Sequence, residues 1–106
     1  MKIINLTPHD IVYQNEEGEQ EVFKASGKVA RVEQFLFDIG GGGKYNLKSS
    51  VTGCVEGIPA ESNDTVYIVS NMVREELKDR EDLWSPTSFI RDDEGRIVAC
   101  TAFIQN

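Results

Sequence analysis

"TVYIVSNMVREELKD", residues 65–79, carries both kinds of regular structure this chain can form. Val66-Tyr67-Ile68-Val69 is its most apolar strand-like run, the continuous kind expected at the centre of a sheet. The pattern then changes. Ser70 or Asn71 can cap a helix, and Glu75, Glu76, Leu77 and Lys78 are good helix formers. Met72 or Val73 with Leu77 makes a narrow apolar stripe, with the wet face at Glu75 to Asp79. The spacing predicts one short helix over about 71–79, ended by the turn residues leading to Pro86.

Outward from this stretch, everything reads as short strands between turns. Upstream, "INLTPHDIVY" (4–13) interrupts two β-branched runs with a Thr-Pro-His turn. "QNEEGEQ" (14–20) centres a hairpin on Gly18, and Ser26-Gly27 marks another turn. In "KVARVE", Val29, Arg31 and Glu33 alternate with Ala30 and Val32, which predicts a strand through Val32 and a second one across Phe35 to Ile39. The run Gly40 to Gly43 reads as a loop, and "VTGCVEGIP" as a short strand ending in a turn. Downstream, "RDDEGR" (91–96) writes a last hairpin. The expected fold class is α+β, a mostly antiparallel β domain with one short helix, and the whole of 1–106 is a single domain.

Charge narrows the partners. Eleven basic and 18 acidic residues give a net −7, which disfavours nucleic acid and anionic membrane surfaces. No apolar run reaches membrane-spanning length and no signal-peptide pattern opens the chain, so a soluble protein of the cytoplasm is expected. Cys54 and Cys100 stand far apart in apolar, strand-like contexts and read as buried, reduced thiols. With His9 they supply only three soft ligands in no metal-type spacing, so neither a metal site nor another cofactor is expected.

Six residues are candidates for binding a ligand. Arg31 is singled out because a guanidinium among apolar neighbours needs an anion or a carboxylate, such as Asp38 or Asp82, to meet it. Arg80 and Arg91, beside acidic residues, read instead as local ion pairs of small worth. Ser70 and Asn71 stand at a helix start, where free amides attract anions. Lys44 and Tyr45 follow the glycine run; Tyr45 stands where a phosphate-binding loop needs Ser or Thr, so this is not that motif. His9 is the only histidine, without an adjacent nucleophile. Tyr67, Trp84 and Phe37 offer stacking surfaces for a purine, although such aromatics are more often core.

"INLTPHDI" (4–11), "SGKVARVE" (26–33), "VEGIP" (55–59), "TVYIVSNMV" (65–73), "REDLWSP" (80–86) and "RDDEGRIVAC" (91–100) together resemble a family of small phage and prophage proteins that open on Asn-Leu-Thr-Pro-His. "KASG" (24–27) departs from the Pro-Ser-Gly turn of that pattern, and the Gly40 to Gly43 run has no counterpart in it. The resemblance implies a phage origin. That origin, the small size and the lack of a catalytic constellation then suggest, by analogy with the compact oligomeric sponges that phages make, a non-enzymatic homo-oligomer that sequesters a small anionic nucleotide signal of bacterial anti-phage immunity, of the cyclic nucleotide or cyclic ADP-ribose type. Two other readings stand beside it. One is an acidic interaction module for a host or virion protein. The other is a small nucleotide-processing enzyme built on His9 with a nearby Thr or Tyr.

Overall fold

The computed structural model describes residues 1–106 and contains eight strands and one helix. They are β1 (Lys2–Asn5), β2 (Ile11–Gln14), β3 (Gln20–Phe23), β4 (Arg31–Asp38), β5 (Lys48–Glu56), β6 (Thr65–Ile68), α1 (Asn71–Glu76), β7 (Leu83–Arg91) and β8 (Ile97–Gln105). Six strands form one curled sheet in the order β1-β6-β7-β8-β2-β3, and β4 and β5 pair separately as a hairpin arm. The expected α+β class with one short helix describes this chain.

The longer ladders, β7 with β8 and β4 with β5, are antiparallel, as is β2 with β3. Three shorter pairings are parallel: β1 with β6, β6 with β7, and β2 with β8. Local turn signals announce hairpins only; parallel pairing joins segments far apart in sequence and leaves no local mark. β6 lies between two neighbours, where its continuous apolar run belongs. The sheet curls until its two edges meet in a single parallel bridge, Asn5 to Ala25.

Asn5 fastens that junction. Its side chain is buried, and its Nδ2 donates to the carbonyls of His9 and Phe23 at 2.8 Å each. Its Oδ1 accepts from the Thr7 amide at 2.9 Å and the Thr7 hydroxyl at 2.6 Å. One amide therefore holds the Thr-Pro-His turn and ties β1 to the end of β3. The opening turn is structural.

Val66 and Ile68 are buried on one face of the sheet, while the main apolar cluster lies on the other, which carries Tyr67 and Leu83. Leu6, Ala30, Tyr67, Val69, Val73 and Leu83 form its centre, with Val32 and Val55 at the base of the arm packed against them. α1 is three residues shorter than expected. Ser70 caps its start by accepting from the Val73 amide at 3.3 Å. Leu77 leaves helical geometry, and the side-chain amide of Asn106 donates to the carbonyls of Arg74, Leu77 and Arg80. Carbonyls that further helical turns would have satisfied are met by the end of the chain instead.

β4 runs unbroken through the position where two strands are expected, because a bulge between Val32 and Gln34 re-registers it against β5. The glycines between them form an ordered turn. Gly40, Gly41 and Gly43 have positive φ, and a Cβ on Gly42 would collide with the Tyr45 carbonyl oxygen and fall 2.7 Å from Leu47 Cγ. Only glycine fits all four places.

Candidate functional site: an aromatic cleft inside the curled sheet

Strand alternation sends one set of side chains to the core and the other into the concave face. Trp84 pairs with Gln105 and Pro86 with Phe103, while Tyr13 pairs with Glu21 and Ile11 with Phe23. Directly opposed residues share a face of the sheet. The curl brings these two sets around a cleft of about 500 Å³, lined by Ile3, Tyr13, Glu21, Phe23, Trp84, Thr101, Ala102, Phe103 and Gln105. Five of the six strands of the sheet contribute.

Phe103 is its centre. The Tyr13 ring stacks on it with centroids 5.6 Å apart, Trp84 lies tilted at 5.5 Å, and Phe23 meets it edge-on at 6.1 Å. These spacings are those of favourable aromatic pairs. Polar groups stand among the rings: the Thr101 hydroxyl, the Gln105 amide and the Glu21 carboxylate. Thr101 donates to the Ser88 carbonyl at 2.8 Å and Gln105 to the Glu81 carbonyl at 2.6 Å, which fixes both side chains. Planar surfaces with a few oriented polar groups can sandwich a flat ring and read its edge. The lining contains no lysine or arginine, and its one charge is negative.

The six expected ligand residues lie elsewhere, and none lines this cleft. Arg31 opens β4 opposite Glu56 and is exposed, which corrects the expectation of an arginine stranded in apolar surroundings. The carboxylates suggested for it are engaged by other cations: Asp38 by Lys48 at 2.9 Å, and Asp82 by Arg80 at 2.7 Å. Lys44 and Tyr45 occupy the turn at the tip of the arm, with Lys44 Nζ 5.3 Å from the Tyr45 ring centroid. Between Arg31 and Asp38 the extended strand covers roughly 23 Å, so the arm separates Arg31 from this pair by more than one small ligand can bridge. Ser70 spends its hydroxyl on the helix cap, and Asn71 accepts from Arg74 at 3.4 Å. His9 is exposed and contributes its carbonyl to the Asn5 clasp.

The largely buried cations are Arg80, whose expected local ion pair proves to be a buried one, and Arg74, which sequence reasoning passed over. Arg80 forks onto Asp82 through Nε at 3.0 Å and Nη2 at 2.7 Å, with both side chains largely buried. It also donates to the Pro59 carbonyl at 2.7 Å, and the Ser62 amide donates to Asp82 at 3.1 Å. Burial alone would push the Asp82 carboxyl up; the Arg80 and Ser62 hydrogen bonds outweigh it and hold the carboxyl below its usual range. Arg74 donates to Ser85 at 3.2 Å and to Asn106 at 3.1 Å, joining α1 to β7 and the end of the chain. At the arm's base, a hydrogen bond with Glu56 and repulsion by it push the Glu33 carboxyl up. Burial raises the Cys100 thiol, whereas Cys54 is exposed on β5, contrary to the expectation of two buried thiols.

Of the cleft aromatics, Trp84 alone was foreseeable as a stacking surface. The spacing Tyr13, Glu21-x-Phe23 and Thr101-x-Phe103-x-Gln105 holds the signal for the rest: period-two alternation that puts each ring on one face of its strand. No three His, Cys, Asp or Glu side chains converge in a metal-binding group, and no helix is long and apolar enough to cross a membrane. Neither a protein-family model, nor a curated protein, nor a solved structure matches this chain.

Proposed function

We propose that this chain is a non-enzymatic binding protein whose aromatic cleft seats the base of a small nucleotide, and that its ligand is a nucleotide signal of bacterial anti-phage immunity held out of circulation in the host cytoplasm. The observation that carries the reading is the cluster of Trp84, Tyr13 and Phe23 around Phe103 in an open cleft of about 500 Å³. A nucleobase stacked on such rings gains roughly 1–3 kcal/mol per base contact. The resemblance of "INLTPHDI" and the later blocks to phage proteins supports a phage origin, and the class of ligand follows from it by analogy with other small phage binders. With Glu21 as the only charge in the lining, the base is the recognised end and the phosphates lie toward solvent. Thr101 and Gln105 give the ring's edge its hydrogen-bonding partners. This reading moves the site from Arg31, Lys44 and the helix start to the curled sheet.

Trp84 is the only tryptophan and lines both the cleft and a smaller hollow beside Glu61 and Asp82, so its fluorescence reports on a ligand in the cleft once Phe103→Ala, which touches only the cleft, is shown to remove the response. Titration with cyclic dinucleotides, cyclic ADP-ribose and adenosine monophosphate is expected to give saturable quenching for at least one of them. Phe103→Ala should weaken that binding at least tenfold, the equivalent of one lost stacking contact. Mass spectrometry of the bound nucleotide after denaturation should return it unchanged. A converted nucleotide would establish the enzyme reading, and no quenching by any of them would refute the nucleotide cleft.

A further inference from the structure

We propose that the β4–β5 arm is a self-association surface, and that its outward face packs against the same face of a second copy of this chain. Phe35, Phe37 and Ile39 stand on one face of β4, opposite Val51, Ser49 and Leu47 of the returning strand. The five apolar side chains among them are between 43% and 57% exposed. The opposite face turns toward the body at its base, where Gln34 reaches Met72 and Thr52 reaches Glu76. A two-stranded ribbon is marginal in water by itself, and here its apolar face meets nothing.

The size of the molecule shows how much is left uncovered. Its radius of gyration is 16.7 Å, where a compact domain of this length has about 13 Å. Its surface is 7454 Å², against about 5,950 Å² for a compact monomer of this mass. The excess of about 1,500 Å² exceeds the roughly 800 Å² that one partner loses in a standard interface.

Charge favours contact through the arm over contact between bodies. Residues 34–52 contain Asp38, Lys44 and Lys48, a net +1; the whole chain carries −7, so the remainder carries −8. A contact between arms brings together two small charges of +1 and keeps the two bodies of −8 apart, so it meets less repulsion than a contact between bodies. The arm's apolar face is made of paired strands, so two of them can stack as sheets about 10 Å apart. One isologous contact then covers both faces and leaves no open surface to propagate. The cleft plays no part in this contact, so the dimer does not depend on what the cleft binds.

Light scattering after size exclusion, at micromolar concentration, is expected to give twice the 11.9 kDa chain mass. Phe37→Asp and, separately, Val51→Lys should reduce it to one chain with the far-ultraviolet spectrum unchanged. Leu36→Asp introduces the same charge on the opposite face and should remain dimeric. A wild-type protein of single-chain mass would overturn the proposal and leave the arm to a foreign partner. A dimer that survives Phe37→Asp and Val51→Lys would overturn it as well. Retained Trp84 quenching in monomeric Phe37→Asp would separate the fate of this contact from that of the nucleotide reading.

Discussion

At the scale of single residues, buried polar groups decide more here than any apolar side chain. Asn5 spends every donor and acceptor of its amide on holding the opening turn and tying it to the end of β3. Arg80 and Asp82 are the one well-buried ion pair, and such a pair matters most when half of it is removed. Arg80→Ala leaves the Asp82 carboxylate buried with only the Ser62 amide for company, and is expected to cost about 3–5 kcal/mol in a denaturant melt. Arg31→Ala, an exposed change, should stay within about 0.5 kcal/mol of wild type. The same pair sets acid sensitivity. Asp82 binds a proton less readily folded than unfolded, so its contribution is fully present above the ordinary Asp value near 3.9 and is lost as pH falls through the lower folded value. Stability should therefore drop on acidification below about pH 4 more steeply in wild type than in Asp82→Asn.

At the scale of elements, the arm and the helix show opposite ways of ending a segment. α1 stops because Asn106 reaches back to three carbonyls 26 to 32 residues before it. The arm turns because four consecutive glycines permit backbone conformations closed to other residues. Gly42→Ala forces a methyl group against the Tyr45 carbonyl and the Leu47 side chain, and the turn must shift to admit it. Hydrogen exchange is expected to quicken at Tyr45, which donates to Gly42, and at Ile39, which donates to Leu47. Amides of β6 should keep wild-type protection, since the arm tip touches none of the core residues. Loss of protection in β6 would mean that the arm and the body unfold as one unit.

At the scale of the whole molecule, only 13 residues are buried, and the chain divides into a curled sheet that holds a cleft and an arm that holds little against itself. The two thiols sample the two parts. Cys54 lies exposed on the arm, and Cys100 is buried on β8, its thiol raised by burial. A disulfide-exchange reagent is expected to titrate one thiol quickly in the native protein and the second only at the rate of global opening. Two fast thiols would show that β8 opens locally, and that the cleft it lines is less firmly built than its ring spacings indicate.

By itself the sequence determined the local features. The continuous run Val66 to Val69 announced a central strand, Ser70 announced the helix start, and Gly18, Gly40 to Gly43 and "DDEG" marked their turns, because each depends on side chains within a few positions. The hydrophobic alternation around Ala30 and Val32 was legible for the same reason. What only the tertiary structure decided is which distant segments meet. The parallel pairings of β1, β6 and β7, the bulge that keeps β4 whole, and the early end of α1 at the hand of Asn106 all depend on partners beyond the reach of local sequence, from 16 residues away in the pairing of β6 with β7 to 63 in that of β1 with β6. The site moved for that reason too. Arg31 stood out among apolar neighbours in sequence but is exposed in space, while Arg80, beside acidic residues, and Arg74 on the helix hold the guanidinium groups that are largely buried. Tyr13, Phe23, Trp84 and Phe103 form one cluster because the sheet curls, and curvature is a property of the assembled strands that no single strand encodes.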